Sequence, residues 1–144
     1  MKKEIILDVI IVLLALLFFY TGLSKIIDWE EFGSRLKTIP AFEHISNLIS
    51  IGVPAVELTV AILLFIPKTR SLALVSSLVL MIVFSVYVII ILTVMDHPPC
   101  NCGGVIEKMS WKQHLVFNIG YTIVALTGVL LNNRSKMEQT RLSV

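Results

Sequence analysis

The chain alternates between four long apolar stretches and short polar connections. The apolar stretches cover residues 5–27, 48–66, 72–95 and 112–131, and few charged side chains interrupt them. Each is close to the roughly 20 residues that a helix needs to cross a bilayer core of about 30 Å. Backbone groups in hydrocarbon must be satisfied within their own segment, which favours helices, and short connections place consecutive helices antiparallel. The pattern therefore predicts an all-α polytopic membrane protein, built as a four-transmembrane-helix up-down bundle.

The remaining segments are too short to bury a core of their own, so we expect residues 1–144 to form a single membrane domain. Residues 28–47 and 96–111 are its two outer loops, and the aromatic side chains of the first loop predict a partly helical segment at the membrane interface. Pro54 falls inside the second stretch, where a proline favours a kink, and Ser110 is placed to cap the fourth helix.

Composition supports the membrane class and excludes two others. Of the 144 residues, 56% are hydrophobic and 15% are charged, whereas about 25% of the residues of a soluble domain are charged. The formal net charge of +2 comes from basic residues spread along the chain, whose longest run is Lys2-Lys3. Soluble globular and nucleic-acid-binding proteins are therefore excluded.

Basic residues are more numerous at one end of the predicted bundle than at the other. The end with both termini and the 67–71 turn carries Lys2, Lys3, Lys68, Arg70, Arg134, Lys136 and Arg141, and the opposite end carries Lys25, Arg35, Lys37, Lys108 and Lys112. The positive-inside rule assigns the more basic end to the cytoplasm. We therefore expect both termini to be cytoplasmic and both longer loops to face outward.

Polar residues inside two of the apolar stretches predict an inner polar site. Glu57 lies midway along the second stretch, where an ionisable group costs at least about 2.5 kcal/mol on insertion scales. His114 and Asn118 share one face of the fourth helix because they are four residues apart. Glu57 and Asn118 fall at similar depths from the outer end, so we expect Glu57 to be buried beside the fourth helix, near Asn118.

Two interpretations of these groups remain open. In the structural one, Glu57 is hydrogen-bonded to Asn118, His114 is satisfied near the interface, and Lys25 extends towards the lipid head groups. In the functional one, Glu57, Asn118 and Lys25 form a cofactor-binding site for which a quinone is the candidate. His114 would then exchange protons, because an unperturbed imidazole has a pKa of about 6.5.

Both cysteines, Cys100 and Cys102, lie between the third and fourth stretches. A bridge between positions two apart constrains little unfolded-state entropy, which argues against a purely stabilising role. Such a bridge is strained and easily reduced, as in catalytic disulfides. The competing interpretation is a zinc or copper site formed with His97 and His114, although zinc ligands are usually separated by two to four residues. The pattern favours redox chemistry, with Cys100, Cys102 and His114 as catalytic residues.

Several segments resemble a known family of membrane proteins. Residues 19–28 and 54–64 resemble the first and second helices of the DoxX-like superfamily. The loop from Cys100 to Gly104, followed by Trp111, His114 and Asn118, resembles the MauE branch of redox-associated membrane proteins. The resemblance implies a four-helix bundle of the bacterial cytoplasmic membrane that exchanges electrons with a thioredoxin-like extracytoplasmic protein, with a link to quinone through a related oxidoreductase subunit.

Two cysteines are too few for a thiol relay across the membrane, so exchange is expected at the outer face alone. The predicted function is thus a thiol:disulfide or quinone-linked oxidoreductase. The alternative is a non-catalytic accessory or assembly subunit that binds other membrane subunits, or that holds a metal through Cys100, Cys102 and His97.

Overall fold

The computed structural model describes residues 2–40, 42–94 and 109–142, and these residues are almost entirely helical, with no strand among them. The α-helices in these ranges are α1 (Lys2–Ile27), α2 (Trp29–Lys37), α3 (Ser46–Phe65), α4 (Arg70–Val94) and α5 (Trp111–Leu142), and a 3₁₀ turn covers Glu43–Ile45. Four segments are long and apolar enough to cross a membrane, namely Lys2–Ile27, Glu43–Phe65, Arg70–Thr93 and Trp111–Glu138. The predicted all-α fold with four spans is therefore confirmed.

The four long helices form a ring in chain order. Helix α1 packs against α3 and α5, and α4 packs against the same two helices. The connection between α3 and α4 is a tight turn in which the Thr69 hydroxyl donates a 3.0 Å hydrogen bond to the Leu63 carbonyl. Consecutive helices are thus antiparallel neighbours, and α1 and α5 close the ring.

The bundle has apolar side chains on both its inner and outer surfaces. Leu14, Phe18, Leu64, Leu74 and Met81 are completely or almost completely buried in the centre. Large apolar side chains also cover the outside, for example Ile5, Leu16, Ile62, Leu72 and Val116. A helix that is apolar all round is typical of a membrane span, because lipid replaces water as the solvent on the outer face.

Two glycines allow helices to approach each other closely. A Cβ atom on Gly128 of α5 would lie 2.9 Å from Ile10 Cγ2 and 3.1 Å from Leu74 Cδ2. A Cβ atom on Gly22 of α1 would lie 3.1 Å from Leu58 Cγ and 3.3 Å from Glu57 Cβ. Small residues at such crossings are typical of helix packing in membranes.

Helix α5 begins where the sequence predicts but ends later than predicted. Ser110 caps α5 as predicted, because its Oγ accepts a 3.3 Å bond from the Gln113 amide while Gln113 Oε1 accepts a 2.8 Å bond from the Ser110 amide. Helix α5 continues to Leu142, beyond the apolar stretch that ends at residue 131. The reason is that polar residues with good helix propensity can extend a helix into water.

Helix α2 lies against the end of the bundle where α1 ends and α3 begins. The segment is partly helical, as predicted, and Phe32 and Leu36 are buried while Trp29 is exposed. Arg35 forms an ion pair with Glu31 one turn away on its outer side. The apolar face of α2 therefore covers the bundle from this end.

Candidate functional site

A cavity of about 340 Å³ lies at the end of the bundle where α4 ends and α5 begins. Its walls are mainly aromatic and aliphatic, and its ring-bearing residues include Phe18, Phe32, Phe42, Phe84, Tyr87, Trp111 and Phe117. Four of the polar residues that the sequence analysis selected, Lys25, Glu57, His114 and Asn118, line the same cavity. The fold thus brings together side chains from three spans that are far apart in the chain.

One wall of the cavity carries a buried ion pair. Lys25 Nζ lies 2.9 Å from Glu57 Oε1 and 3.1 Å from Oε2. The Glu57 side chain is 0% exposed and that of Lys25 is 20% exposed. Thr21, one turn before Lys25 on α1, donates a 3.2 Å hydrogen bond from Oγ1 to Glu57 Oε1. Glu57 is therefore held by two side chains of the adjacent helix.

Lys25 also contacts a backbone carbonyl of α1 and an aromatic ring of α4. Its ammonium group donates a 3.4 Å hydrogen bond to the Thr21 carbonyl. It lies 5.5 Å from the centre of the Phe84 ring, within cation–π distance. Of the two open interpretations, the structural one had Lys25 extending towards the head groups, but the buried Glu57 carboxylate instead attracts the ammonium into the bundle.

The hydrogen bond between Glu57 and Asn118 that the structural interpretation assumed is not formed, although both residues line the same cavity. Glu57 is fully buried, as expected, but its carboxylate bonds to Lys25 and Thr21. The physical reason is the ring order: α3 is adjacent to α1 and α4, whereas α5 lies across the cavity from α3. Equal depth in the membrane does not make two residues neighbours.

The opposite wall carries His114 and Asn118, one turn apart on α5. Asn118 is 4% exposed, and its Nδ2 is buried with no hydrogen-bond partner among the described residues. His114 Nδ1 is likewise buried and unpaired within the described ranges. The His114 ring stacks on Trp111, with ring centres 6.4 Å apart and planes at 26°. This wall therefore presents unused hydrogen-bonding capacity.

Three features of the site were missed by sequence reasoning. Thr21 lies four residues before Lys25, and this spacing could have identified it as part of the same face. Phe84 lies in the apolar stretch 72–95, which contains no charged residue, so no pattern distinguished it from lipid-facing aromatic residues. The role of Gly22 in bringing Glu57 close to α1 depends on the helix crossing and has no local signal.

The cysteine chemistry lies outside the described residues. Cys100, Cys102 and His97 belong to residues 95–108, so their catalytic or metal-binding roles stay predictions. Within the ranges that the structure describes, no group of three or more His, Cys, Asp or Glu side chains could hold a metal ion.

Comparison with known proteins identifies one family. A family model described as methylamine utilisation protein MauE matches residues 3–131, from α1 well into α5. No curated protein and no solved structure matches the chain. The wider DoxX-like resemblance of residues 19–28 and 54–64 stays a prediction.

Proposed function

The chain belongs to the MauE family, whose members are described as methylamine utilisation proteins, and we propose that it is a thiol:disulfide redox protein. Its membrane would be the cytoplasmic membrane of a bacterium, with the termini inside. Cys100 and Cys102 would exchange electrons at the outer face with a thioredoxin-like extracytoplasmic protein.

One observation carries this proposal: the cavity lies at the same end of the bundle as the ends of the chain segment that contains both cysteines. Residues 95–108 join Val94 at the end of α4 to Met109, just before α5. Cys102 lies seven residues before Met109 in the chain. His114, in the first turns of α5, lines the cavity. This supports a functional link between the thiols and the cavity.

The exchange proceeds through a mixed disulfide. The thiolate of one cysteine attacks the partner's disulfide, so one sulfur–sulfur bond forms and the partner's bond breaks. The second cysteine then attacks the mixed disulfide, which leaves a Cys100–Cys102 disulfide and a reduced partner. Two electrons pass to the partner, and the reverse sequence returns them. The imidazole of His114 would accept a thiol proton and so promote formation of the thiolate.

The test is to trap the mixed disulfide with single-cysteine variants of the full chain. Replacement of the resolving cysteine leaves the intermediate without an internal exit, so an adduct should accumulate. We expect Cys102→Ser to yield a reductant-sensitive adduct with a thioredoxin-like protein, and Cys100→Ser to yield little. The variant with both cysteines replaced is the control and should give no adduct.

The reverse pattern would support the exchange and interchange the roles of the two cysteines. Absence of an adduct from both variants would overturn the redox proposal. If the wild-type protein then binds zinc or copper stoichiometrically, the alternative of a metal-binding accessory subunit takes its place.

A further inference from the structure

Two buried polar atoms of α5 at the cavity have no hydrogen-bond partner. Asn118 Nδ2 and His114 Nδ1 are both unpaired among the described residues, and both side chains line the cavity. Buried polar groups in folded proteins are almost always paired, and an unpaired one calls for an explanation. Because Asn118 is 4% exposed, bulk water cannot accept the hydrogen bond that its amide offers. A bound molecule with a hydrogen-bond acceptor would satisfy it.

The charge of the cavity indicates that this molecule is neutral. Lys25 and Glu57 neutralise each other at 2.9 Å. Among the described lining residues, this pair therefore leaves no free countercharge for a charged ligand, and a buried ion without a partner is strongly unfavourable. The remaining lining is mainly apolar and rich in aromatic rings, including Phe84 and Phe117. A flat ring with polar atoms only at its edge fits these walls.

The spacing of the two unpaired groups adds a constraint on the ligand. Residues four apart lie one above the other on a helix, with Cβ atoms about 5–6 Å apart, so a single ligand can contact both groups. The Asn118 amide donates to a carbonyl oxygen. The His114 nitrogen either donates to a carbonyl or accepts from a hydroxyl, according to its protonation. The pair can therefore bind both the oxidised and the reduced form of a ring dione.

The cavity also reaches the outside of the bundle. Val83, which is 54% exposed, and Tyr20, which is 39% exposed, both contribute to its lining. A volume of about 340 Å³ accommodates a substituted ring, and an attached hydrocarbon tail can extend past these residues into lipid.

We propose that the cavity binds the ring of a quinone, with its carbonyl oxygens at Asn118 and His114, and that this quinone is the second electron partner of the cysteine pair. The redox step rests on the proposed function of Cys100 and Cys102. In it, two S–H bonds break and the disulfide forms, while the quinone takes up two electrons and two protons and becomes a quinol. The thiols are the source of both protons, and His114 passes one of them to the adjacent ring oxygen.

Binding is tested first without the cysteines. The full-length Cys100→Ser/Cys102→Ser protein also carries Trp29→Phe, which leaves Trp111 at the cavity as the sole fluorophore of its type. Menadione, a naphthoquinone, should quench this fluorescence saturably, and 2-methylnaphthalene, which has the same ring without the oxygens, should bind at least about tenfold more weakly. Equal or non-saturable quenching by both probes would overturn the proposal.

A substitution then locates the site. Asn118→Leu keeps a similar volume and removes the donor, so we expect at least about a tenfold loss of menadione affinity. Asn133→Leu, on the exposed far end of α5, is the matched control and should leave affinity unchanged. Equal affinity of the two variants would overturn the assignment of the donor. If Asn118→Leu fails to fold, the comparison of menadione with 2-methylnaphthalene on the cysteine-free protein still tests whether the cavity binds a quinone.

The redox step has its own readout, separate from that of the thiol exchange with the partner. The reduced wild-type protein should form one disulfide for each menadione reduced under anaerobic conditions. A trapped thioredoxin-like adduct without saturable quinone binding would leave the thiol exchange standing and remove the quinone. Saturable quinone binding without an adduct would leave the quinone site standing and remove the thiol exchange with the partner.

Discussion

Lys25 of α1 and Glu57 of α3 form an ion pair with a 2.9 Å Nζ–Oε1 distance inside the membrane-spanning bundle. The pair joins two adjacent spans at the cavity, where Gly22 lets α1 and α3 come close together. An isolated charge at this depth would be strongly unfavourable, so each residue accounts for the presence of the other. The pair also keeps the cavity neutral.

The first prediction concerns the stability of this pair. Lys25→Met leaves the fully buried carboxylate without a countercharge, and Glu57→Leu leaves the ammonium without one. Each single change should lower the free energy of unfolding by roughly 3 kcal/mol, because breaking a buried pair strands the other charge. The double variant should lose clearly less than the sum. Thermal unfolding in one detergent measures all four proteins.

Strict additivity of the two single changes would show that the pair contributes no coupling.

Glu57→Gln addresses a separate role. The amide would meet the Lys25 ammonium with one acceptor oxygen instead of two, so we expect reduced stability. Full stability together with lost activity would indicate instead that Glu57 transfers protons.

The second prediction concerns the packing of α5 against α1 and α4. Gly128→Ala should destabilise the protein by about 1–3 kcal/mol, because its new Cβ would overlap Ile10 Cγ2. Gly120→Ala on the same helix is the matched control, since a Cβ there meets nothing within 4 Å. It should be neutral or slightly stabilising, because alanine favours helices more than glycine does.

Ile10→Leu removes the overlapping methyl group and should reduce the cost of Gly128→Ala. Thermal unfolding of the single and double variants provides the measurement. If Gly128→Ala is as stable as Gly120→Ala, the close approach of the helices at this point is contradicted.

The third prediction concerns orientation in the membrane. A membrane-impermeant thiol reagent should label Cys100 or Cys102 on reduced intact cells from which any outer membrane has been removed. Lys68→Cys in the cysteine-free background is the control, since Lys68 is exposed at the other end of the bundle. It should react only after lysis. The opposite labelling pattern would reverse the proposed topology.

Part of the candidate site could be predicted from local sequence. Glu57 was expected to be buried because a carboxylate in the middle of an apolar span must face the bundle, and it is buried. His114 and Asn118 were expected to share a face because of helical periodicity, and both line the cavity. The partners of these residues could not be predicted, because two spans of equal depth can lie side by side or across a cavity.

The apolar pattern by itself determined the four membrane-spanning helices and the all-α class, because backbone hydrogen bonds in lipid leave almost no alternative to helices. The serine before α5 likewise determined where that helix starts. Only the tertiary structure decided that Lys25 and Thr21 hold Glu57 and that Asn118 Nδ2 is buried without a hydrogen-bond partner among the described residues. These relationships follow from the order of the helices around the ring and from close contacts at Gly22 and Gly128, which depend on packing between segments that are distant in the sequence.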